Sequence, residues 1–338
     1  MKRTSSDSKL LVEWQPAPAE TEQPAGLSSK ASAAGNGSKG KREWLYNHLW
    51  GMGVRLLRLS KRLRIGGPFE HAMIWIAGRL IPAPGSQVEI TLPLGASLKV
   101  PANFSRVRSY AAGIYEQDVT QTFLSVIKEG MTVVDVGAFC GYYTVLASRL
   151  VGESGHVYAF EPFPASYAQL LENIEANGCA NVTAAPWAVS DRVGTETMVI
   201  KGEIDHYWLN RHNSGVEPSI EVPAITLDSF FEELGWPRVD VIKMDIEGSE
   251  TAAFAGMRAL SERNPDLQLI VEFDVTNIRR AGFKPENYTR LLTELGFKEG
   301  YIIEQGLRPF SVRESPPRGR ATYDLLLKKD NQRGDRSA

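Results

Sequence analysis

Val133-Val134-Asp135-Val136-Gly137-Ala138-Phe139-Cys140-Gly141-Tyr142-Tyr143-Thr144-Val145-Leu146-Ala147 is the stretch that decides the fold. Up to Val136 it has the β-branched, apolar character of a buried strand, broken only by Asp135. Gly137 and Gly141 then turn the chain into a helix-forming segment. A second apolar run, Val157-Tyr158-Ala159-Phe160, follows and ends in Glu161. Strand, glycine turn, helix and strand in that order form a βαβ unit, whose crevice suits an adenosine-bearing cofactor. Glycine backbone approaches such a ligand where a Cβ would clash, and the new helix offers free N–H groups. Glu161 stands where a carboxylate accepts both ribose hydroxyls.

The spacing selects among cofactors. A dinucleotide fingerprint needs a glycine against the pyrophosphate and a third for helix–strand packing, whereas the intervening position here is Phe139. A bulky side chain there leaves little room for pyrophosphate. S-adenosylmethionine has no phosphate and carries a sulfonium and an amino-acid tail, so it suits a wider G-x-x-x-G turn beside an acidic residue such as Asp135. The sequence therefore favours S-adenosylmethionine over NAD or FAD. The alternative is a tight turn without a ligand.

With 338 residues and 43% hydrophobic content, the chain can bury a sizeable core. A formal charge of −2 argues against wholesale nucleic-acid binding. Cys140 and Cys179 are the only cysteines; they offer neither a disulfide framework nor metal-ligand spacing, so no metal site is expected from them. No segment has the ~18 apolar residues of a spanning helix. Met1 to Leu11 lacks the apolar core of a signal peptide, so a cytoplasmic location is expected.

Composition divides the chain. Residues 1–43 are rich in Ser, Ala, Gly, Pro and Lys and read as a disordered tail, as do 331–338. Residues 44–84 become aromatic, aliphatic and basic, with Met52, Leu56, Leu59 and Leu63 on one helical stripe beside Arg55, Arg58, Lys61 and Arg62. Such a helix can lie on an anionic membrane surface, giving peripheral contact through residues 44–81, or pack on the domain or on a second copy. Oligomeric state is not readable. Residues 85–118 form a lead-in with a β-hairpin, Val88–Leu92 and Ser97–Val100 flanking Pro93 and Gly95.

Residues 119–330 read as one domain of alternating elements. Strands are expected at Thr132–Val136, His156–Phe160, Val182–Val189, Thr197–Ile200, Val239–Met244, Leu267–Phe273, Gly300–Glu304 and Tyr323–Lys328. Helices are expected at Val119–Lys128, Ala165–Asn177, Leu227–Leu234, Glu250–Arg263 and Pro285–Leu295. This alternation implies a mostly parallel α/β sheet with helices on both faces.

A second constellation is Val239-Asp240-Val241-Ile242-Lys243-Met244-Asp245-Ile246-Glu247-Gly248-Ser249-Glu250. Its strand end should face the same crevice as the glycine turn. Asp245 and Glu247 are the functional candidates, and Glu250 suits a helix-start role.

Val133 to Glu161 together with the Lys243-Met244-Asp245-Ile246-Glu247-Gly248 strand end resembles the FkbM family of class I S-adenosylmethionine-dependent methyltransferases. The order of features is similar as well: Tyr115-Glu116 upstream, Asn173 and Asn177 at a helix end, Ala188-Val189-Ser190-Asp191, and Val271-Glu272. The resemblance covers roughly residues 105–330. It implies a Rossmann-like class I methyltransferase sheet carrying the helical and β-hairpin N-terminal extension, and O-methylation of hydroxyls, commonly on glycans, glycolipids or glycosylated natural products. It maps Asp135, Gly137, Ala138, Phe139 and Gly141 to the cofactor loop, Glu161 and the adjoining Pro162 to the ribose edge, and Ala188 and Val189 to the adenine slot. Many relatives place a histidine two residues after the late strand glutamate; here Glu272 is followed by Phe273 and Asp274.

Methyl transfer to a hydroxyl needs alignment and a proton acceptor. Asp245 is the first candidate base, with His206 and His212 of the Lys201–Gly215 insertion as alternatives. That insertion also carries Tyr207, Trp208, Arg211 and Asn213, suited to stacking on sugar faces or simply to a solvated loop. Asp245, Glu272 and Asp274 offer a divalent-metal alternative, weakened by the neighbouring Lys243. Competing classes are a nicotinamide oxidoreductase, which lacks an evident Ser-Tyr-Lys set, and a non-catalytic scaffold retaining the same core.

Overall fold

The computed structural model describes residues 87–102, 106–200, 207–209, 217–314 and 322–329. The tails, the basic extension, His206 and His212 lie outside the described residues. The elements, in chain order, begin with β1 (Gln87–Thr91), β2 (Ser97–Pro101), α1 (Val107–Ala112), α2 (Gln117–Val126), β3 (Thr132–Val136), α3 (Tyr142–Val151), β4 (His156–Phe160) and α4 (Pro164–Ala176). Next come β5 (Val182–Ala185), β6 (Ala188–Val189), β7 (Gly194–Ile200), β8 (Tyr207–Leu209), β9 (Ser219–Ile225), α5 (Leu227–Glu233) and β10 (Val241–Met244). They continue with α6 (Glu250–Ala255), α7 (Arg258–Arg263), β11 (Gln268–Asp274), α8 (Val275–Arg280), α9 (Pro285–Glu294), β12 (Phe297–Ile302), β13 (Arg308–Ser311) and β14 (Thr322–Lys329).

An eight-stranded sheet runs in the order β13-β12-β14-β11-β10-β3-β4-β5. The segment from β5 to β11 is parallel throughout. β14 inserts antiparallel between β11 and β12, which returns β12 to the direction of β11. This is the expected Rossmann-like sheet, closed by an antiparallel edge.

Strand alternation sorts the core into two faces. Val134, Ile242, Met244, Leu269 and Val271 pack with α5 to α9, where Phe230, Phe254 and Tyr288 are fully buried. Val133, Val241 and Ile270 face the other way, onto the hairpin, α2 and α3. Each large side chain so enclosed contributes ~1.5–3 kcal/mol relative to an exposed one. Local signals set the helix starts: Pro164 and Pro285 open α4 and α9, and Thr226 caps α5 by accepting from Ser229 N.

The hairpin forms as expected, β1 pairing antiparallel with β2. Two asparagines, Asn173 on α4 and Asn177 at its C-cap, seal the outer edge of β2. Asn173 accepts from Lys99 N and donates to Lys99 O, and Asn177 does the same for Ser97. The side-chain amides thereby replace a missing neighbouring strand.

Three expectations change. Val182–Val189 is not one strand: it breaks at Pro186, and Ala188–Val189 joins a separate four-stranded sheet, β6-β9-β7-β8. Glu250–Arg263 is not one helix: the backbone leaves helical geometry at Met257 (φ −130°), beside Gly256, where a Cβ would lie 2.1 Å from Ser190 O. The strand expected at Gly300–Glu304 lies earlier, at Phe297–Ile302, and gives way to a 3₁₀ turn. Among the described residues no helix is long and apolar enough to cross a membrane.

Candidate active site

The carboxyl ends of β3, β4 and β10 open into one cleft. Val136 to Phe139, Tyr142 and Tyr143 form one wall; Phe160 to Pro162 and Trp187 to Val189 form the next. Lys243 and Asp245 to Glu247 close the third, with Arg106, Tyr110 and Tyr115 arriving from the N-terminal side and Met198, Trp208 and Leu209 from the small sheet. The two constellations read from the sequence therefore meet in one cavity. Gly137, Ala138, Phe139, Glu161, Pro162, Ala188, Val189, Asp245 and Glu247 are all on its wall. Asp135 and Gly141 are not.

Glu161 is 1% exposed, and its two oxygens accept from Phe139 N and Phe163 N, both at 2.8 Å. This carboxylate is thus fixed at the cleft and also anchors the glycine loop. The loop is stitched further by Gly137 N and Ala138 N, which both donate to Phe160 O at 3.0 Å. The glycines also make close protein contacts. Gly137 has φ +82°, and a Cβ there would stand 2.0 Å from Asp245 O; Gly141 has φ +93° and presses on Leu170. They bring protein against protein, joining the ends of β3 and β10 and docking α4.

At the floor, Lys243 and Asp135 are register partners on adjacent strands, so their side chains share a face that is otherwise apolar. Lys243 is 4% exposed; its Nζ lies 3.1 Å from Asp245 Oδ2 and 4.5 Å from the Tyr143 ring centre. Burial pulls its pKa down, but Asp245, Glu116 and Asp135 outweigh that and hold the ammonium above its usual range. Burial pushes Asp245 up, yet Lys243 and then Arg106 prevail, leaving its carboxyl below the usual range. Burial wins at Asp135, which titrates above an ordinary aspartate despite Lys243 and a 2.6 Å hydrogen bond from Thr144.

Glu247 sits in a left-handed turn, φ +53°, between two cations: Arg106 at 3.4 Å and Arg280 at 3.7 Å. It also accepts from Asn277 Nδ2 at 3.1 Å. Glu250 takes the helix-start role expected of it, accepting from Ile246 N and Gly248 N. Asp274 caps α8 by accepting from Thr276 N and Asn277 N, which commits it to the backbone. Among the described residues no group of three or more His, Cys, Asp or Glu is arranged to hold a metal.

Sequence reasoning missed Arg106, Arg280, Tyr110, Tyr142 and Tyr143. The tyrosines carried a signal: Tyr115-Glu116 and the Tyr142-Tyr143 pair after the glycine turn form one cluster, in which Tyr143 donates to Glu116 at 2.7 Å.

A parallel sheet in this order, with an acid at the end of its second strand and a glycine loop after its first, is a Rossmann-like arrangement suited to an adenosine-bearing cofactor. Residues 135–299 match the Methyltransferase FkbM domain, and this part of the chain belongs to that family. The chain is 28% identical over 180 residues to the hexuronic acid methyltransferase AglP of Haloferax volcanii, a match covering 53% of this chain and 68% of that protein. A protein-L-isoaspartate O-methyltransferase of Methanothrix thermoacetophila is 40% identical over 57 residues, 17% of this chain and 27% of that protein. Among solved structures, a SAM-dependent methyltransferase from Aquifex aeolicus aligns with a TM-score of 0.33 and 19% identity, covering 63% of this chain and 88% of its own. A SAM-dependent O-methyltransferase from Thermotoga maritima aligns with a TM-score of 0.37 and 14% identity, covering 75% and 82%.

The cofactor is S-adenosylmethionine, and the residues present fit it. A buried carboxylate held by two backbone N–H groups suits a ribose, and the apolar slot of Trp187, Ala188 and Val189 suits a purine.

Proposed function

We propose that this methyltransferase is O-directed and that its acceptor is a hydroxyl of a saccharide, glycolipid or glycosylated natural product. The observation that carries this reading is the Lys243–Asp245 pair on the wall of the cofactor cleft. It supplies an ionised carboxylate facing the space beside the cofactor. The aromatic walls, with Phe139 and Trp208, suit a sugar ring, and the similarity to a hexuronic acid methyltransferase supports the same class of acceptor.

When bound, the cofactor supplies a methyl carbon already activated by a positive sulfur. The protein's share is then alignment, worth up to ~7–11 kcal/mol in favourable systems, and removal of the hydroxyl proton. In this reading Glu161 and the slot of Ala188 and Val189 fix the cofactor, with Gly137 to Phe139 and Pro162 completing its edge. Asp245 receives the proton. A carboxylate of depressed pKa is a weak base toward a free alcohol, but the alcohol becomes strongly acidic as its oxygen forms the new bond. Lys243 holds Asp245 charged and in place until then, and Glu247 positions the acceptor side of the cleft.

Incubation of the full chain with methyl-labelled cofactor and a fractionated cell extract tests this reading. Alkali-stable label in a saccharide-containing fraction is the expected result, because a methyl ether resists mild base. Label confined to amines or to alkali-labile esters contradicts it.

A further inference from the structure

We infer that Arg106 and Arg280 form an anion-binding clamp at the mouth of the cleft and that the acceptor is an acidic saccharide held there by its carboxylate. The inference rests on the saccharide reading above and specifies which saccharides qualify.

Both guanidiniums are set by aromatic faces of the cleft. Arg106 lies over Phe139 with its carbon 5.7 Å from the ring centre, and Arg280 lies over Trp208 at 4.1 Å. A guanidinium over a ring face can still hydrogen-bond through its N–H groups. They converge on one carboxylate, Glu247, whose Oε1 faces Arg106 and whose Oε2 faces Arg280. Two guanidiniums bring about ten N–H donors, against roughly four acceptor positions on Glu247, and Asn277 already uses one of these. The donors therefore outnumber what this carboxylate can accept.

The charge is unbalanced in the same direction. In direct contact, Arg106 and Arg280 share the one carboxylate of Glu247, while deeper in the cleft Lys243 is answered by Asp245 and by its register partner Asp135. A planar carboxylate on the acceptor matches the fork geometry and the missing charge. The Trp208 indole N–H, buried on the same wall, has no acceptor among the described residues, and a ligand oxygen would satisfy it.

The test titrates full-length protein loaded with S-adenosylhomocysteine with methyl glycosides of glucuronic and galacturonic acid, the matched neutral glucoside and galactoside, and glucose 6-phosphate. Roughly tenfold or tighter binding of the uronides over the neutral sugars is expected, the worth of a charge-assisted hydrogen-bond pair. That preference should vanish in Arg280→Gln while S-adenosylhomocysteine affinity stays at the wild-type value. Tighter binding of the phosphate than of either uronide would show that the clamp reads phosphate, and would overturn the carboxylate assignment. Equal affinity for charged and neutral sugars overturns the clamp and leaves the saccharide reading standing, since methyl transfer to the neutral sugars is scored separately. Loss of S-adenosylhomocysteine affinity in Arg106→Gln assigns that arginine to the cofactor's own carboxylate and overturns the two-arginine clamp. Failure of every anionic sugar to bind overturns it as well.

Discussion

Lys243 Nζ lies 3.1 Å from Asp245 Oδ2, two residues along the same strand end, and its Cα is the register partner of Asp135 on β3. One buried ammonium thus answers two carboxylates from neighbouring strands. It ties β3 to the strand end that holds Asp245, the proposed proton acceptor.

Lys243→Met should uncover that dependence. Removing the cation leaves two carboxylates without their partner, a loss of ~3 kcal/mol for a broken buried pair, to be read by chemical denaturation. The acid limb of the activity profile should also move to higher pH, because Lys243 is the larger of the two attractions that hold Asp245 below its usual range. Asp245→Asn should lower turnover ~100- to 10,000-fold with little change in S-adenosylhomocysteine affinity. Retained turnover would remove Asp245 as the proton acceptor.

Stability should fall as pH rises through neutrality. Burial, then neighbouring carboxylates, push Glu272 up to about 10 and Asp324 up to about 8. These two are cross-strand partners on β11 and β14. Above ~4.3 the unfolded chain has released these protons while the native chain keeps them, so the unfolded state binds fewer and stability declines with pH. The loss runs from the unfolded values up to about 8 for Asp324 and about 10 for Glu272. Asp245 has the opposite sign: its contribution is present above ~3.9 and is lost only as pH falls through its lower folded value. Glu272→Gln should flatten the decline between pH 6 and 9 by up to ~1 kcal/mol per pH unit. A melting temperature that rises over that range in the wild type would contradict the assignment.

Gly137 and Gly178 separate backbone strain from steric contact. Both are left-handed, at φ +82° and +62°, but a Cβ meets Asp245 O at 2.0 Å at Gly137 and nothing within 4 Å at Gly178. Gly178→Ala should cost ~1 kcal/mol. Gly137→Ala should cost ~3 kcal/mol or more, because the ends of β3 and β10 must part. Equal thermal shifts would show that the strand ends are not in contact.

Asn173→Ala should destabilise by ~3 kcal/mol or more. It strips Lys99 N, Lys99 O and Cys140 O of a partner at once, in a residue with no exposed surface. Asn177→Ala, farther toward the helix end, should cost less. The comparison is made by urea unfolding.

What the sequence revealed were features set by near neighbours. β3, its glycine turn and Glu161 lie within a single βαβ unit, and the Lys243 to Gly248 strand end announces itself by the same pattern of apolar run, acid and glycine. Local pattern misled where tertiary contact decides. Val182–Val189 is apolar enough for one strand, yet Pro186 lacks the N–H that would continue the ladder, and the chain changes sheets there. The turn glycines were legible as close approaches but not as approaches to Asp245 O and Leu170. Arg106 pairs with a residue 141 positions away, and Arg280 ends a six-residue helix too short to show periodicity. The tyrosine cluster draws on three separate segments, at Tyr110, Tyr115 and Tyr142-Tyr143, which only the tertiary fold brings together.

The most direct measurement is calorimetric titration of S-adenosylhomocysteine into the full chain and into Glu161→Gln. The carboxylate holds Phe139 N and Phe163 N as well as the cleft, so Glu161→Ala would also loosen the loop, and the amide is the cleaner change. One ligand per chain is expected in the wild type, with affinity at least ~10-fold weaker in Glu161→Gln, a loss of ~1.4 kcal/mol. Absence of wild-type binding, or equal affinity in a folded Glu161→Gln, would contradict the placement of the methyl donor in this cleft.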